Sequence, residues 1–169
     1  MHSTRFPTFL SLFVLLIVSL FTEEATANQQ TLDKQRDLFL KAEYSAKKHS
    51  RRQFQSVYKK LGDYPLKPYA MQRFLIRHPY LSYEKQITQF LSEYSATPME
   101  SGVRKAWLNY LARKKEAKRF LRDYRTGYGA KMDCHYWRFK QEIEGETPAF
   151  FNAVGKLWLV GKSQVGHTL

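Results

Sequence analysis

Four glutamates are the residues of this sequence whose type and spacing come nearest to acid–base chemistry. Glu142, Glu144 and Glu146 form an acidic run, and Glu100 begins a short E-S string. A carboxyl group serves as a general acid when a cleft holds it beside the departing atom and raises its pKa. Residues two apart on a helix point to different faces, and Gly145 interrupts the run. We therefore predict a hydrated helix end at the acidic run, a helix start at Glu100 and no catalytic residue at either place.

The histidines and the single cysteine lack the spacing of metal ligands. The five histidines are scattered, and neither an H-E-x-x-H nor a C-x-x-C pattern occurs. Cys134 and His135 are adjacent on a predicted helix, where neighbouring side chains diverge by about 100° and do not easily share a metal ion. The sequence also has no glycine-rich phosphate loop and no G-x-S-x-G elbow. We predict no metal site and no cofactor.

The N-terminus has the three parts of a secretory signal. Arg5 precedes an apolar run over residues 9–21, and Ala25 and Ala27 then form a small-x-small cleavage pattern. The run is too short to cross a hydrocarbon layer of roughly 30 Å as a helix. A buried N-terminal helix is the alternative, although the run has no polar face. We predict that residues 1–27 are a signal peptide and that the mature chain begins at Asn28 in the periplasm.

The mature chain is strongly basic. The formal net charge is +13, and removing one arginine and two glutamates with the signal makes it +14. Basic runs lie at residues 47–52 and 113–119, and they are either an attractive surface for polyanions or simply solvated helix faces. In the cytoplasm such charge would suggest nucleic acid, but outside it the abundant polyanions are cell-wall material and anionic lipid. We therefore expect no nucleic acid partner, and no stable membrane insertion after signal removal.

The spacing of the apolar residues predicts eight helices and no strand. Apolar residues recur every three or four positions, glycine and proline divide the stripes, and no segment alternates with period two. Thr147 and Pro148 have the types preferred at a helix N-cap and first helical position. The predicted buried faces are Leu32, Phe39, Ala42 and Ala46; Phe54, Val57, Tyr58 and Leu61; Leu66, Tyr69, Ala70 and Phe74; Tyr83, Ile87, Phe90, Leu91 and Tyr94; Val103, Trp107, Tyr110 and Leu111; Ala117, Phe120, Leu121 and Tyr124; Met132, Tyr136, Phe139 and Ile143; and Phe150, Val154, Leu157 and Trp158.

The predicted fold class is all-α. Eight helices joined by short breaks indicate stacked antiparallel hairpins, each covering the apolar face of its neighbour, as in an α-superhelix (solenoid). We expect this superhelical segment over residues 28–164, with a closed helix bundle as the alternative. Because the end of the array has no polar cap, an uncovered apolar face there predicts self-association.

Two short stretches carry a resemblance to a known family. One reads D-Y-P-L-x-P-Y and the other L-W-L-x-G-K-S-Q, and both resemble segments near the N-terminus of the soluble lytic murein transglycosylases, periplasmic enzymes of Gram-negative bacteria. Cys134, ahead of Tyr136 and Trp137, falls in the same order as in that family. The resemblance covers residues 30–164. The motif residues are Asp63, Tyr64, Pro65, Leu66, Pro68, Tyr69, Leu157, Trp158, Gly161, Lys162, Ser163 and Gln164.

The resemblance implies a ring-like superhelix that precedes a lysozyme-like catalytic domain. That domain cleaves murein glycan to a 1,6-anhydro sugar with one glutamate in an E-S-x-x-x-P motif. The 169 residues contain no such motif, since the E-S string at Glu100 lacks the proline. We therefore expect a part without catalytic power that contributes structure or weak, electrostatic peptidoglycan binding. The alternatives are a free-standing periplasmic helical adaptor for protein or cell-wall material, and a secreted basic protein that binds nucleic acid or membrane.

The last residues depart from the family pattern. After Gln164 the family continues with a proline and a cysteine, and the resemblance implies that this cysteine is the disulfide partner of Cys134. Residues 165–169 form an atypical tail instead. We expect that a frameshift or premature stop shortened a longer gene. On the residues alone, Cys134 is buried and inert, paired between molecules, or missing a partner.

Overall fold

A computed structural model of the chain describes residues 30–48, 51–95 and 97–159. These residues form eight α-helices, one short 3₁₀ helix and no strand, so the predicted all-α class is confirmed. The superhelical arrangement stays a prediction. The helices are α1 (30–47), α2 (Arg51–Lys60), α3 (Lys67–Arg77), the 3₁₀ helix Leu81–Tyr83, α4 (Glu84–Glu93), α5 (Pro98–Lys114), α6 (Ala117–Asp123), α7 (Ala130–Glu144) and α8 (Pro148–Trp158).

Several predicted features lie outside the described residues. They are the signal peptide with its cleavage residues Ala25, Ala27 and Asn28, the motif residues Gly161, Lys162, Ser163 and Gln164, and the tail 165–169. Within the described ranges, no helix combines the length and the apolar character needed to cross a bilayer.

The chain divides into two compact units between Ala70 and Met71, inside α3. In the first unit, the small residues Ala42 and Ala46 of α1 are fully buried, together with Phe54 of α2 and Leu61 just after it. Gly62 follows with a positive φ of 53°, which an L side chain rarely adopts, and this glycine ends α2.

The second unit is built around α5, which contacts α4, α6 and α7. Trp107 and Leu111 of α5 are fully buried, as are Ile87 of α4 and Phe120 of α6. Near the start of α5, a Cβ built on Gly102 would lie 3.1 Å from Cδ1 of Ile76, so this glycine lets α5 approach α3 closely.

The predicted helix boundary before α8 is confirmed. The Oγ1 of Thr147 accepts a hydrogen bond of 3.2 Å from the backbone N–H of Phe150, and Pro148 is the first helical residue. The N-cap hydroxyl thereby satisfies one of the orphan N–H groups of the first turn.

Four residues of the predicted buried faces are exposed instead. Leu66 and Tyr69 are 42% and 47% exposed, because α3 begins only at Lys67 and turns Ala70 and Phe74 toward the core. Leu32 and Ile143 are 45% and 49% exposed, because they lie beyond the buried turns of α1 and α7, near the start of the described part of α1 and in the last turn of α7. Burial at these positions was wrongly predicted from spacing alone, which does not show where packing against a neighbour stops.

Candidate functional site

A polar cavity of about 520 Å³ lies in the second unit. It is bounded by the end of α4, the start of α5 and the loop that follows α6. Its volume falls within the range of about 300–1,000 Å³ that is usual for small-molecule sites. The lining residues are Thr88, Leu91, Ser92, Ser95, Glu100, Arg104, Asp123, Arg125, Thr126 and Tyr128.

An ion pair on α5 forms the inner wall of the cavity. Glu100 and Arg104 are four residues apart and so share one helix face, where they are 8% and 6% exposed. Arg104 Nε donates to Glu100 Oε1, and Tyr128 Oη donates to Glu100 Oε2 over 3.0 Å. Arg104 Nη1 donates to the backbone carbonyl of Asp123. Both oxygens of Glu100 are therefore occupied, and Arg104 ties α5 to the end of α6.

Asp123 is the second carboxylate at the cavity. Trp107 Nε1 donates to its Oδ2 over 2.8 Å, and Arg122 donates to both oxygens over 2.8 and 2.6 Å. Burial acts to raise the pKa of Asp123, but the hydrogen bonds from Arg122 and Trp107 outweigh it, so the pKa lies below its usual value. Asp123 is consequently ionised at neutral pH.

Behind Asp123 the ion pairs continue to α4. Arg122 Nη1 donates to Glu84 Oε1 over 3.0 Å, and Arg119 Nε donates to both oxygens of the same carboxylate over 3.1 and 3.0 Å. Arg119 also donates to Glu116 over 2.7 Å. The hydrogen bond to Asp123, in spite of burial, raises the pKa of Arg122 above its ordinary value. These contacts fix α6 against α4 at the back of the cavity.

The side chains at the cavity both accept and donate hydrogen bonds. Burial, followed by the hydrogen bond to Glu100, raises the pKa of Tyr128, so its hydroxyl stays protonated at neutral pH. Glu100 and Asp123 act only as acceptors in their hydrogen bonds. A general acid needs a proton to give, and the lowered pKa of Asp123 leaves its carboxylate without one at neutral pH.

Among the residues that the structure describes, other lining groups have unused hydrogen-bonding capacity. The hydroxyls of Ser92, Ser95 and Thr126 make no hydrogen bond there, whereas Thr88 Oγ1 donates to the Glu84 carbonyl over 3.0 Å. Arg125 uses Nη1 for the Tyr124 carbonyl at 2.9 Å and forms no ion pair in the same part of the chain. The three hydroxyls of the serines and the threonine, and the remaining N–H groups of Arg125, are available to a ligand.

The sequence analysis did not identify most of the residues of this site. Glu100 was assigned only as a helix start, which is correct because α5 begins at Pro98, but its burial was not foreseen. A signal was present: Glu100 and Arg104 continue the face of the apolar Trp107 at helical spacing. A glutamate and an arginine four apart on a core face indicate a buried ion pair.

The acidic run has the exposed character predicted for it. Glu142 and Glu144 pair loosely with Arg138 and Lys140, at 3.8 and 3.6 Å. Glu146 accepts a hydrogen bond of 3.1 Å from Gln141 Nε2. All three glutamates are exposed, and none of them lines the cavity described above.

Part of the basic run at residues 113–119 forms an unpaired basic surface. Arg113, Lys114, Lys115 and Lys118 are exposed, and the described residues supply none of them with an acidic partner. Arg119 differs, because Glu84 and Glu116 pair with it. We call the four unpaired residues the basic corner.

Cys134 is exposed on α7, so the alternative in which it is buried is wrong. Local desolvation, helped by the neighbouring carboxylate of Asp133, raises the pKa of its thiol above the usual value. In the described ranges no group of three histidine, cysteine, aspartate or glutamate side chains could hold a metal ion.

The first motif of the sequence forms the connection between α2 and α3. Asp63, Tyr64, Pro65 and Leu66 make the turn, and Pro68 and Tyr69 begin α3. Lys67 Nζ closes the turn by donating to the Gly62 carbonyl over 2.7 Å, and the same ammonium lies 5.2 Å from the centre of the Tyr58 ring. The ring of Tyr64 lies 5.8 Å from that of Phe39.

Only the start of the second motif falls in the described part. Leu157 is half-buried on α8, and Trp158 is the last residue of that helix. Comparison of the chain with models of protein families, with curated proteins and with solved structures gives no match in any of the three.

Proposed function

We propose that this chain is the N-terminal superhelical part of a periplasmic lytic murein transglycosylase. In this role it contributes structure and weak, electrostatic binding of peptidoglycan, and no bond cleavage of its own. The observation that carries the proposal is the D-Y-P-L-K-P-Y stretch, which resembles the family and forms a compact connector between two helices. The L-W-L-x-G-K-S-Q stretch and the signal-like N-terminus are consistent with it.

The connector gives the resemblance a physical reason. Pro65 and Pro68 each fix φ and lack an N–H donor, which suits a turn and the first turn of a helix. Lys67 holds the turn against Gly62, whose positive φ ends α2. A motif with these properties specifies how one helix follows another, so it fits a protein built from helical hairpins.

The ion pairs and hydrogen bonds of the two carboxylates at the cavity support a part without catalytic activity. Cleavage of a glycosidic bond requires a carboxylic acid that protonates the leaving oxygen. Glu100 is paired with Arg104, and Asp123 is held ionised by Arg122 and Trp107. The acidic run is exposed at a helix end.

The basic corner supports the binding part of the proposal. Four exposed cations without an acidic partner in the described residues attract the carboxylates of cell-wall material. Attraction of this kind is weak and is screened within about 8 Å at physiological salt. A free-standing adaptor would use the same surface, so the basic corner does not separate the two hypotheses.

A chimeric enzyme distinguishes the transglycosylase hypothesis from the adaptor hypothesis. Residues 30–164 replace the corresponding N-terminal segment of an established soluble lytic murein transglycosylase, and release of 1,6-anhydromuropeptides is measured. We expect the chimera to be soluble and active, because an equivalent segment restores the superhelix. The control carries an unrelated helical segment of equal length and should lose folding or activity. A well-folded chimera without activity would contradict the proposal, as would product release by the mature chain alone.

A further inference from the structure

We propose that the side of the second unit where the end of α3 lies beside α5 binds an anionic lipid surface. Exposed apolar side chains there enter the headgroup region, and the cations around them lie against the lipid phosphates. The binding is peripheral, at the depth of the headgroups. The inference goes beyond the proposed function and does not rest on it.

The first argument is a line of apolar side chains where the two helices meet. Ile76 of α3 lies against Gly102 of α5, and the ring of Tyr80, just after α3, lies 5.7 Å from that of Tyr110 on α5. Ile76 and Tyr80 are nevertheless 38% and 42% exposed, and Tyr110 is only partly buried. We call Ile76, Tyr80 and Tyr110 the tyrosine seam. Water satisfies an exposed polar group but not an exposed apolar one, so burying the seam in another apolar phase is favourable.

The second argument is the one-sided charge around the tyrosine seam. α3 contains no acidic residue, and the only one on α5 is Glu100, which is buried in an ion pair. Arg77, Arg113 and Lys114 are exposed, and the described residues give none of them an acidic partner. Arg113 and Lys114 follow Tyr110 by three and four residues, so they lie beside it on the surface of α5. This side of the unit is therefore complementary to an anionic partner.

The third argument favours a lipid surface over a partner that stacks on aromatic rings. A nucleic acid base stacks on an open ring face. Tyr110 lies nearly parallel to the buried Trp107, at 10° and 5.8 Å, so one of its faces is covered, and Tyr80 meets it at 65°. The remaining member of the seam, Ile76, is aliphatic. The boundary between headgroups and acyl chains accepts isoleucine and is enriched in tyrosine, whose hydroxyl stays toward water there.

The test is sedimentation of the mature chain with large lipid vesicles. One set is phosphatidylcholine alone, and the other contains about 30% phosphatidylglycerol, so the two differ mainly in surface charge. Each cation near an anionic surface contributes about fivefold in affinity, so three of them should give about 100-fold tighter binding to the anionic set at low salt. Neither set contains murein, so the result is independent of the proposed murein binding.

One pair of variants tests the aromatic contribution. Tyr80→Ser should weaken binding to the anionic vesicles about fivefold, because its ring no longer leaves water on binding. Phe151→Ser is the matched control, since Phe151 is exposed on α8, which packs on α7 and not on the seam, and it should bind as the wild type does. Far-ultraviolet circular dichroism establishes that each variant is folded.

A second pair tests the position of the charges. Arg77→Gln combined with Arg113→Gln should weaken binding about 25-fold, the loss expected for two cations that lie against the lipid. Lys59→Gln combined with Lys60→Gln removes the same charge from the exposed end of α2 and should weaken binding less than about threefold.

A fluorescent label identifies the face that touches the lipid. An environment-sensitive dye is attached to the new thiol of Tyr80→Cys in a chain that also carries Cys134→Ser. Its emission should rise and shift to the blue with anionic vesicles, because the dye leaves water. The control is the wild type labelled at Cys134, which is exposed on α7, and its emission should change little.

Three results would overturn the inference. One is a chain that binds neither vesicle set at low salt, or both sets equally. Another is unchanged binding by folded Tyr80→Ser, or a dye at position 80 that stays in water while the chain sediments, because the lipid would then touch another face. The third is a single-stranded oligonucleotide that displaces the chain from the anionic vesicles by binding it more tightly, which would assign the surface to nucleic acid.

Discussion

Arg104 on α5 donates a hydrogen bond to the backbone carbonyl of Asp123, the last residue of α6. The carbonyl groups in the last turn of a helix have no partner within the helix, so a cation there satisfies one of them and complements the helix dipole. The same guanidinium neutralises Glu100 through its Nε. One buried arginine thus joins the end of α6, the start of α5 and the wall of the cavity.

The substitution Arg104→Met should destabilise the protein strongly. It keeps much of the side-chain volume but leaves Glu100, only 8% exposed, as a buried carboxylate without its cation. Breaking a buried pair in this way costs about 3–5 kcal/mol in the free energy of unfolding. Urea denaturation followed by circular dichroism measures it.

Two further variants make that result specific. Arg113→Met, on the exposed side of the same helix, should change the free energy of unfolding by less than about 0.5 kcal/mol. Adding Glu100→Gln to Arg104→Met removes the stranded charge and should restore part of the loss. If Arg104→Met alone were as stable as the wild type, Arg104 would not hold α5 and α6 together.

Asp123 should make stability depend on acid pH. Its pKa is lowered from the ordinary value of 3.8, so the folded protein binds its proton less readily than the unfolded chain does. The resulting stabilisation is fully present above pH 3.8 and is lost as the pH falls from there through the folded pKa. Asp123→Asn should therefore flatten the fall in unfolding free energy between neutral pH and about pH 3, while lowering stability at pH 7.

The measurement is urea unfolding of both proteins over that pH range. Glu93→Gln removes an exposed carboxylate at the end of α4 and serves as the control; its profile should follow that of the wild type. Parallel profiles for wild type and Asp123→Asn would show that the hydrogen bonds from Trp107 and Arg122 do not stabilise the ionised form.

The helices of the second unit could be predicted because their burial is periodic. Ile87, Phe90 and Leu91 were expected on the inner face of α4, and all three are buried. The all-α class follows from the same periodicity, together with glycine and proline at the breaks. Local rules also locate the start of α8, since the Thr147 hydroxyl and the Pro148 ring act within one turn.

The cavity could not be predicted in this way, because its residues come from elements far apart in the sequence. The spacing of Glu100 and Arg104 is visible along α5, but the carbonyl of Asp123 and the hydroxyl of Tyr128 reach them only after α6 and its loop have packed. Helical periodicity describes one element at a time. It does not tell which polar side chains from different elements meet.

Lys115 gives a prediction about backbone strain. It is the only non-glycine residue with positive φ in the described ranges, at 58°, where it ends α5. A left-handed conformation costs a residue with a Cβ roughly 1 kcal/mol, and glycine avoids this cost. Lys115→Gly should therefore raise the free energy of unfolding by about 1 kcal/mol, measured by urea denaturation.

Lys115→Ala is the matched control for that change. It removes the same charge but keeps the Cβ, so it should leave stability unchanged to within about 0.5 kcal/mol. If the free energy of unfolding rose equally in both variants, the rise would come from removing a cation of the crowded basic corner and not from the backbone. If neither variant were more stable than the wild type, the left-handed conformation of Lys115 would not cost the protein stability.

The basic corner should bind murein in a salt-dependent way. Purified sacculi are mixed with the mature chain and sedimented, and bound protein is measured from about 20 to 300 mM salt, a range over which the screening length falls severalfold. We expect most of the chain to sediment at low salt and little at high salt. Lys114→Glu combined with Lys118→Glu should abolish most of the low-salt binding, because two unpaired cations become anions.

The control for this charge reversal is Lys59→Glu combined with Lys60→Glu. These lysines are exposed at the end of α2 and, in the part of the chain that the structure describes, have no acidic partner. The control changes the net charge of the protein by the same amount, so any difference between the two variants reports position and not total charge. Equal loss in both would mean that sacculi respond only to net charge, and failure of the wild type to sediment at low salt would remove the binding part of the proposed function.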